Sequence, residues 1–155
     1  MDRGLEREQI SQAQFVAHIA AALGVNPDGL LERMLADLRS EPRVVTAVAR
    51  LRSRGIKVAV LSNGWGSTPF DPYARFRLGD HYDVVVISDQ VGLRKPDPEI
   101  FALTLTRLEL PGQRCVFVDD VARYLPAARA LGMATIHAAD PATTVTKLER
   151  IFGNQ

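Results

Sequence analysis

One cysteine, one tryptophan and an aromatic content of 6% leave this 155-residue chain short of several kinds of chemistry. The lone thiol, Cys115, excludes an internal disulfide and a cysteine-built zinc site, and makes a reducing cytoplasm the expected setting. Charge of one sign is missing too: 19 Lys and Arg stand against 18 Asp and Glu, a formal net charge of +1, with no block of like charge. Neither nucleic acid nor an anionic membrane surface finds an electrostatic footprint here. No apolar run approaches the ~18 residues that a spanning helix needs. The opening Met1-Asp2-Arg3-Gly4-Leu5-Glu6-Arg7-Glu8 is too charged for a signal peptide. What the chain has in quantity is hydrophobic residues, 46%, enough to pack the core of one domain.

From about Val44 onward, helix-period stripes alternate with short β-branched runs, the pattern of a parallel sheet flanked by helices. Four runs read as strands: Val58 to Leu61, Val84 to Ile87, Val116 to Val118 and Ala134 to Ile136. Each is apolar throughout, as strands covered on both faces should be. Val44, Val45, Val48 and Leu51 stripe a helix that Gly55 can end in a left-handed turn. Asp97-Pro98 opens another, carrying Phe101, Leu105 and Leu108. A third runs from Val121 to Leu131 and stops at Gly132, and Val145, Leu148 and Phe152 mark a last one. The first forty residues differ, with two expected helices and no strand. Ser11-Gln12-Ala13-Gln14 has capping-box spacing ahead of Phe15, Val16, Ile19, Ala20 and Leu23, and Leu31, Met34, Leu35 and Leu38 stripe a second helix after Pro27-Asp28. Residues 1–41 are therefore expected to form a helical attachment and 42–155 the α/β part, with the junction at Glu41-Pro42.

Ligands of a parallel α/β sheet bind beyond the carboxyl ends of its strands. Three of the four ends are polar: Ser62-Asn63-Gly64-Trp65-Gly66-Ser67, then Ser88-Asp89-Gln90 leading to Lys95-Pro96, then Asp119-Asp120. A hydroxyl with freed backbone amides, a compact cation and hard carboxylate oxygens suit a phosphate with Mg²⁺. Each has an ordinary reading as well: Ser-Asn-Gly is a turn, Lys95-Pro96-Asp97-Pro98 a loop feeding a helix, and Asp120 a helix cap. Cys115 reads as core, and His18, His81 and His137 as packed or solvated residues.

The order of these elements is more specific than any one of them. Strand-Ser-Asn, then Val-Gly-x-x-Lys-Pro-x-Pro-x-Ile-Phe, then Val-Phe-Val-Asp-Asp ahead of Pro-Ala-Ala-Arg-Ala-Leu-Gly-Met resembles the haloacid dehalogenase-like (HAD) hydrolase superfamily. Within it, the resemblance is to the phosphatase-like N-terminal domain of soluble epoxide hydrolases, running from about Arg43 to Phe152, with Gly4 to Leu38 similar to the later part of that family's helical cap. A receiver domain also combines an acidic pair, a hydroxyl and Lys-Pro, but with the acidic pair first in the chain, whereas here it comes last. The resemblance implies a Rossmannoid α/β fold and a small-molecule phosphate ester as substrate. It implies that Ser62 binds the phosphoryl group, that Lys95 stabilises its charge, and that Asp119 and Asp120 serve Mg²⁺, with Asp120 the direct ligand. Asn63 and Trp65 fall where relatives line the pocket.

Two departures qualify that expectation. The family's nucleophile sits in an Asp-x-Asp at the end of the first, central strand, and this chain contains no Asp-x-Asp. The expectation is an N-terminally truncated hydrolase, inactive as it stands, whose sheet lacks its central strand and so leaves two strand edges unpaired. The alternative is a non-catalytic binding or regulatory protein that pairs its open sheet with another chain, a homo-oligomer included. Second, Tyr124 stands where the family usually has Asn after the acidic pair; packing with Val121 and Leu125 is its ordinary reading, and a weakened metal site the other.

Overall fold

The computed structural model describes residues 11–64, 67 and 69–153; the charged start of the chain and Trp65 lie outside them. The chain divides into two compact units, one from Met1–Arg39 with Trp65–Phe76, the other from Ser40–Gly64 with Arg77–Gln155.

In the first unit, α1 (Gln12–Leu23) starts on the expected capping box: the Gln14 backbone N–H donates to Ser11 Oγ at 3.2 Å, and the Ser11 N–H to Gln14 Oε1 at 2.8 Å. Gly24, at φ 65°, ends the helix in the left-handed region that favours glycine. The expected second helix is shorter than its stripe suggested. α2 spans only Leu30–Met34, with Leu31 buried and Met34 and Leu38 exposed. Its carbonyl end is held from elsewhere, since the Arg75 guanidinium donates to the Leu35 and Ala36 carbonyls. Residues after 64 thus complete this unit. The amide of buried Gln12 exchanges hydrogen bonds with the Phe70 backbone, Nε2 to the carbonyl at 2.8 Å and Phe70 N to Oε1 at 2.9 Å.

The second unit is α/β, and it leaves residues 65–76, which the expected span of 42–155 includes, to the first unit. α3 (Pro42–Ser53) leads through Gly55, at φ 83°, to β1 (Ala59–Ser62). Then follow α4 (Leu78–His81), β2 (Val84–Ile87), α5 (Ser88–Val91) and α6 (Pro98–Leu108). β3 (Val116–Asp119), α7 (Leu125–Ala130), β4 (Ala134–His137) and α8 (Pro141–Phe152) complete it. The helix expected over Val121 to Leu131 is a 3₁₀ turn, Ala122–Tyr124, followed by the shorter α7. α6 buries Ile100, Phe101, Thr104 and Leu108, one stripe at helical spacing. That stripe enters a core with Val86, Phe117, Tyr124, Leu125, Ala128 and Met133. A smaller core joins Leu51 of α3, Ile136 of β4 and Leu148 of α8. Gly112 lets the chain before β3 pass against the end of α7: a Cβ there would lie 1.9 Å from the Leu131 carbonyl oxygen.

The strands form two parallel pairs. β1 pairs with β2 from Ala59↔Val84 to Ser62↔Ile87, and β3 with β4 from Val116↔Ala134 to Asp119↔His137. Among the described residues no strand joins β1 to β3. β1 differs from the expectation of a strand covered on both faces, since all four of its residues are half-buried. Among the described residues it has a partner on one side alone, and its second edge gains no cover from the sheet.

The start of the first pair is fastened by one carboxylate. Asp83 Oδ2 accepts the Val58 backbone N–H at 2.8 Å, and Asp83 Oδ1 accepts Arg52 Nε at 3.1 Å. The Val58 N–H above all, helped by Arg52, holds the Asp83 carboxyl below its ordinary value of 3.8. A carboxyl lowered by folding binds its proton less readily in the folded chain than in the unfolded one. Its contribution is present above pH 3.8 and is lost as the pH falls through the lowered value. Asp83→Asn is therefore expected to unfold at lower urea than the wild-type chain at neutral pH, with the gap closing below that point. A gap that does not vary with pH would remove the carboxylate as its cause.

Candidate active site

The parallel registers set Ser62 and Asp119 at the carboxyl ends of β1 and β3, and the loops that follow bring the polar residues together. Lys95 lies between α5 and α6. Its Nζ donates to Asp119 Oδ2 at 2.6 Å, with side-chain exposures of 8% and 6%. So complete a burial of two charges is tolerated because each meets the other and further partners. Asp119 Oδ1 accepts the Val121 N–H at 2.8 Å, so both its oxygens are engaged. The Lys95 ammonium lies 5.0 Å from the Tyr124 ring centre and 5.8 Å from that of Phe117.

Asn63 binds the Lys95 backbone in both directions. Its Nδ2 donates to the Lys95 carbonyl at 3.0 Å, and its Oδ1 accepts the Lys95 N–H at 2.8 Å. The residue expected to line a pocket thus braces the loop that carries the lysine. Ser88, one residue past β2, ties the same region: its Oγ accepts the Gly64 N–H at 2.9 Å and donates to the Gly64 carbonyl at 3.2 Å. Ser62 is half-buried at the end of β1. Trp65 lies outside the described residues.

Asp120 is exposed beside buried Asp119, and its backbone carbonyl accepts a hydrogen bond from His137 Nε2 at 2.9 Å. Among the described residues no group of three or more His, Cys, Asp or Glu gathers to hold a metal. A carboxylate such as Asp120 nevertheless suits Mg²⁺, which is commonly held by one or two carboxylates together with waters and substrate phosphate oxygens. Asp119, engaged at both oxygens, is the less available of the two carboxylates. Cys115 packs half-buried against the main core, and burial pushes its thiol up, away from the thiolate a nucleophile needs.

Two members of this cluster make contacts that their local sequence does not assign. Tyr124 is buried in the core as its ordinary reading has it, yet its hydroxyl also lies 3.4 Å from Asn63 Nδ2. Ser88 had a visible signal, since it follows a strand directly, as Asn63 does.

A family model described as haloacid dehalogenase-like hydrolase matches residues 6–132. The chain is 32% identical over 130 residues to bifunctional epoxide hydrolase 2 of Sus scrofa, covering 81% of this chain and 23% of that protein. It is 32% identical over 100 residues to phosphorylated carbohydrates phosphatase of Thermotoga maritima, covering 64% and 46%. The chain thus spans less than half the length of either relative. A HAD-like family hydrolase from Porphyromonas gingivalis superposes with a TM-score of 0.68 at 21% identity, over 97% of this chain and 81% of that one. A HAD family enzyme from Bacteroides thetaiotaomicron, in complex with magnesium and inorganic phosphate, superposes with a TM-score of 0.63 at 24% identity, over 84% and 70%. At those identities the structural likeness speaks for the fold alone.

Proposed function

Because the chain belongs to the haloacid dehalogenase-like hydrolases, we propose that it carries the phosphate- and Mg²⁺-binding half of a phosphate monoester hydrolase site. One observation carries this reading. A buried lysine ammonium is held at the carboxyl ends of the strands by Asp119, with its backbone braced by Asn63. A cation so fixed needs no reorganisation to receive a dianion, which is where binding and charge stabilisation gain most. Ser62 donates its hydroxyl to a phosphoryl oxygen, Lys95 supplies the charge, and Asp120 offers the metal a hard oxygen. The Thermotoga relative is named as a phosphatase, which supports phosphoryl chemistry.

The nucleophile is the part the chain lacks. No Asp-x-Asp occurs in the sequence, and β1 and β3 share no strand among the described residues. In this reading turnover needs a carboxylate-bearing strand between them, from a longer polypeptide or another chain. With Mg²⁺ and an aryl phosphate, the purified chain is expected to release no phenol above buffer. Titration with inorganic phosphate in the presence of Mg²⁺ is expected to give heat that Lys95→Met abolishes. Lys95-dependent release would overturn the missing nucleophile, and absence of binding heat in the folded chain would overturn the phosphate site.

A further inference from the structure

Tyr124 meets the two parts of the lysine assembly at once. Its ring centre is 5.0 Å from Lys95 Nζ, and its hydroxyl is 3.4 Å from the amide nitrogen with which Asn63 holds the Lys95 carbonyl. The ring is buried in the same core cluster as Leu125 and Phe117, which limits its freedom to turn away. An aromatic face carries negative charge density and attracts a cation, more strongly where water is excluded. The ammonium here is itself buried. Asp119 neutralises it from one direction, and the ring adds a second attraction. The Arg123 guanidinium lies 5.4 Å from the same ring centre, adding positive charge at this turn.

We propose that Tyr124 is a positioning residue for phosphate binding: its ring holds the Lys95 ammonium at the strand ends, and its hydroxyl steadies the Asn63 brace. The claim on affinity rests on the phosphate site proposed above; the claim on the lysine does not. The two are separated by measuring both in the same samples. In a proton–carbon spectrum, the Lys95 ε-methylene, assigned by its loss in Lys95→Arg, is expected upfield from ring current in the wild-type chain and in Tyr124→Phe. It is expected to move toward the ordinary lysine position in Tyr124→Leu, with a residual shift from the Phe117 ring 5.8 Å from the ammonium. Inorganic phosphate with Mg²⁺, titrated calorimetrically, is expected to bind about ten-fold more weakly to Tyr124→Leu and about two-fold more weakly to Tyr124→Phe.

Phenylalanines of increasing fluorination at position 124 keep the ring's shape while draining its face of negative charge, and they keep the test open where the leucine variant does not fold. Affinity is expected to fall stepwise along that series. Equal affinity across the series, or an unmoved Lys95 signal in folded Tyr124→Leu, overturns the role of the ring. A Lys95 signal that moves as expected in a wild-type background that binds no phosphate overturns the phosphate site and the affinity claim while upholding the ring's hold on the lysine.

Discussion

Lys95→Ala is expected to destabilise the chain by about 3–5 kcal/mol, because it leaves the Asp119 carboxylate buried without its counter-charge. Exposed ion pairs contribute only about 0–1 kcal/mol, and the difference lies in desolvation. Water cannot replace the ammonium around a carboxylate that is 6% exposed. Against a total stability on the order of 5–15 kcal/mol for a domain of this size, such a loss leaves the variant near its threshold. The charge itself is the cause, so removing both charges should restore much of what removing one destroys. Lys95→Met combined with Asp119→Asn keeps an oxygen for the Val121 N–H, now 2.8 Å from Asp119 Oδ1, and buries no ion. Urea unfolding of the two single variants and the double checks this. The double variant should be more stable than Lys95→Met alone while still binding no phosphate. If it is no more stable than Lys95→Met, the stranded carboxylate is not the cause of the loss.

The parts legible in the sequence were those set by short-range pattern. β2 is Val84–Ile87 as its β-branched run marks it; the other strands each run one residue further at their polar ends, to Ser62, Asp119 and His137, and β1 also starts one residue later, at Ala59 instead of Val58. The capping box at Ser11 and the left-handed glycines at 55 and 132 are local too, since each depends on residues within a turn. What escaped depends on distant partners. The stripe Leu31, Met34, Leu35, Leu38 says which residues suit burial, but the chain turns after Met34 and Arg75 holds the carbonyls there. Gln12 looks like a surface residue at the start of a helix. It is buried because Phe70, 58 positions away, satisfies its amide. Tyr124 was ambiguous for a physical reason: one side chain has an apolar ring that belongs in a core and a polar tip that needs a partner. Pattern can assign the ring, and only the fold brings Asn63 and Lys95 to it.

Phe101→Ala is expected to be comparably severe, about 3–5 kcal/mol, through the cavity it opens in the main core. Phe101 is fully buried, and its ring meets that of Phe117 edge to face, with centroids 5.1 Å apart and planes at 82°. Aromatic pairs of this geometry contribute about 0.5–1.5 kcal/mol beyond the area they bury. Phe101→Leu keeps most of the volume and should lose less, which separates cavity from ring pairing in urea unfolding. A leucine variant as unstable as the alanine one would place the loss in the ring pair. The consequence reaches the site, because Phe117 also flanks the Lys95 ammonium at 5.8 Å. Once Phe101 is truncated, Phe117 has space to shift and the lysine loses a fixed neighbour. The two substitutions should then fail to add: Phe101→Ala and Lys95→Ala both act on Phe117, so their double variant should deviate from the sum of the singles by about 0.5–3 kcal/mol. Strict additivity would mean that the core under the site and the lysine above it are held independently, and that the packing of α6 has no part in setting the cation's position.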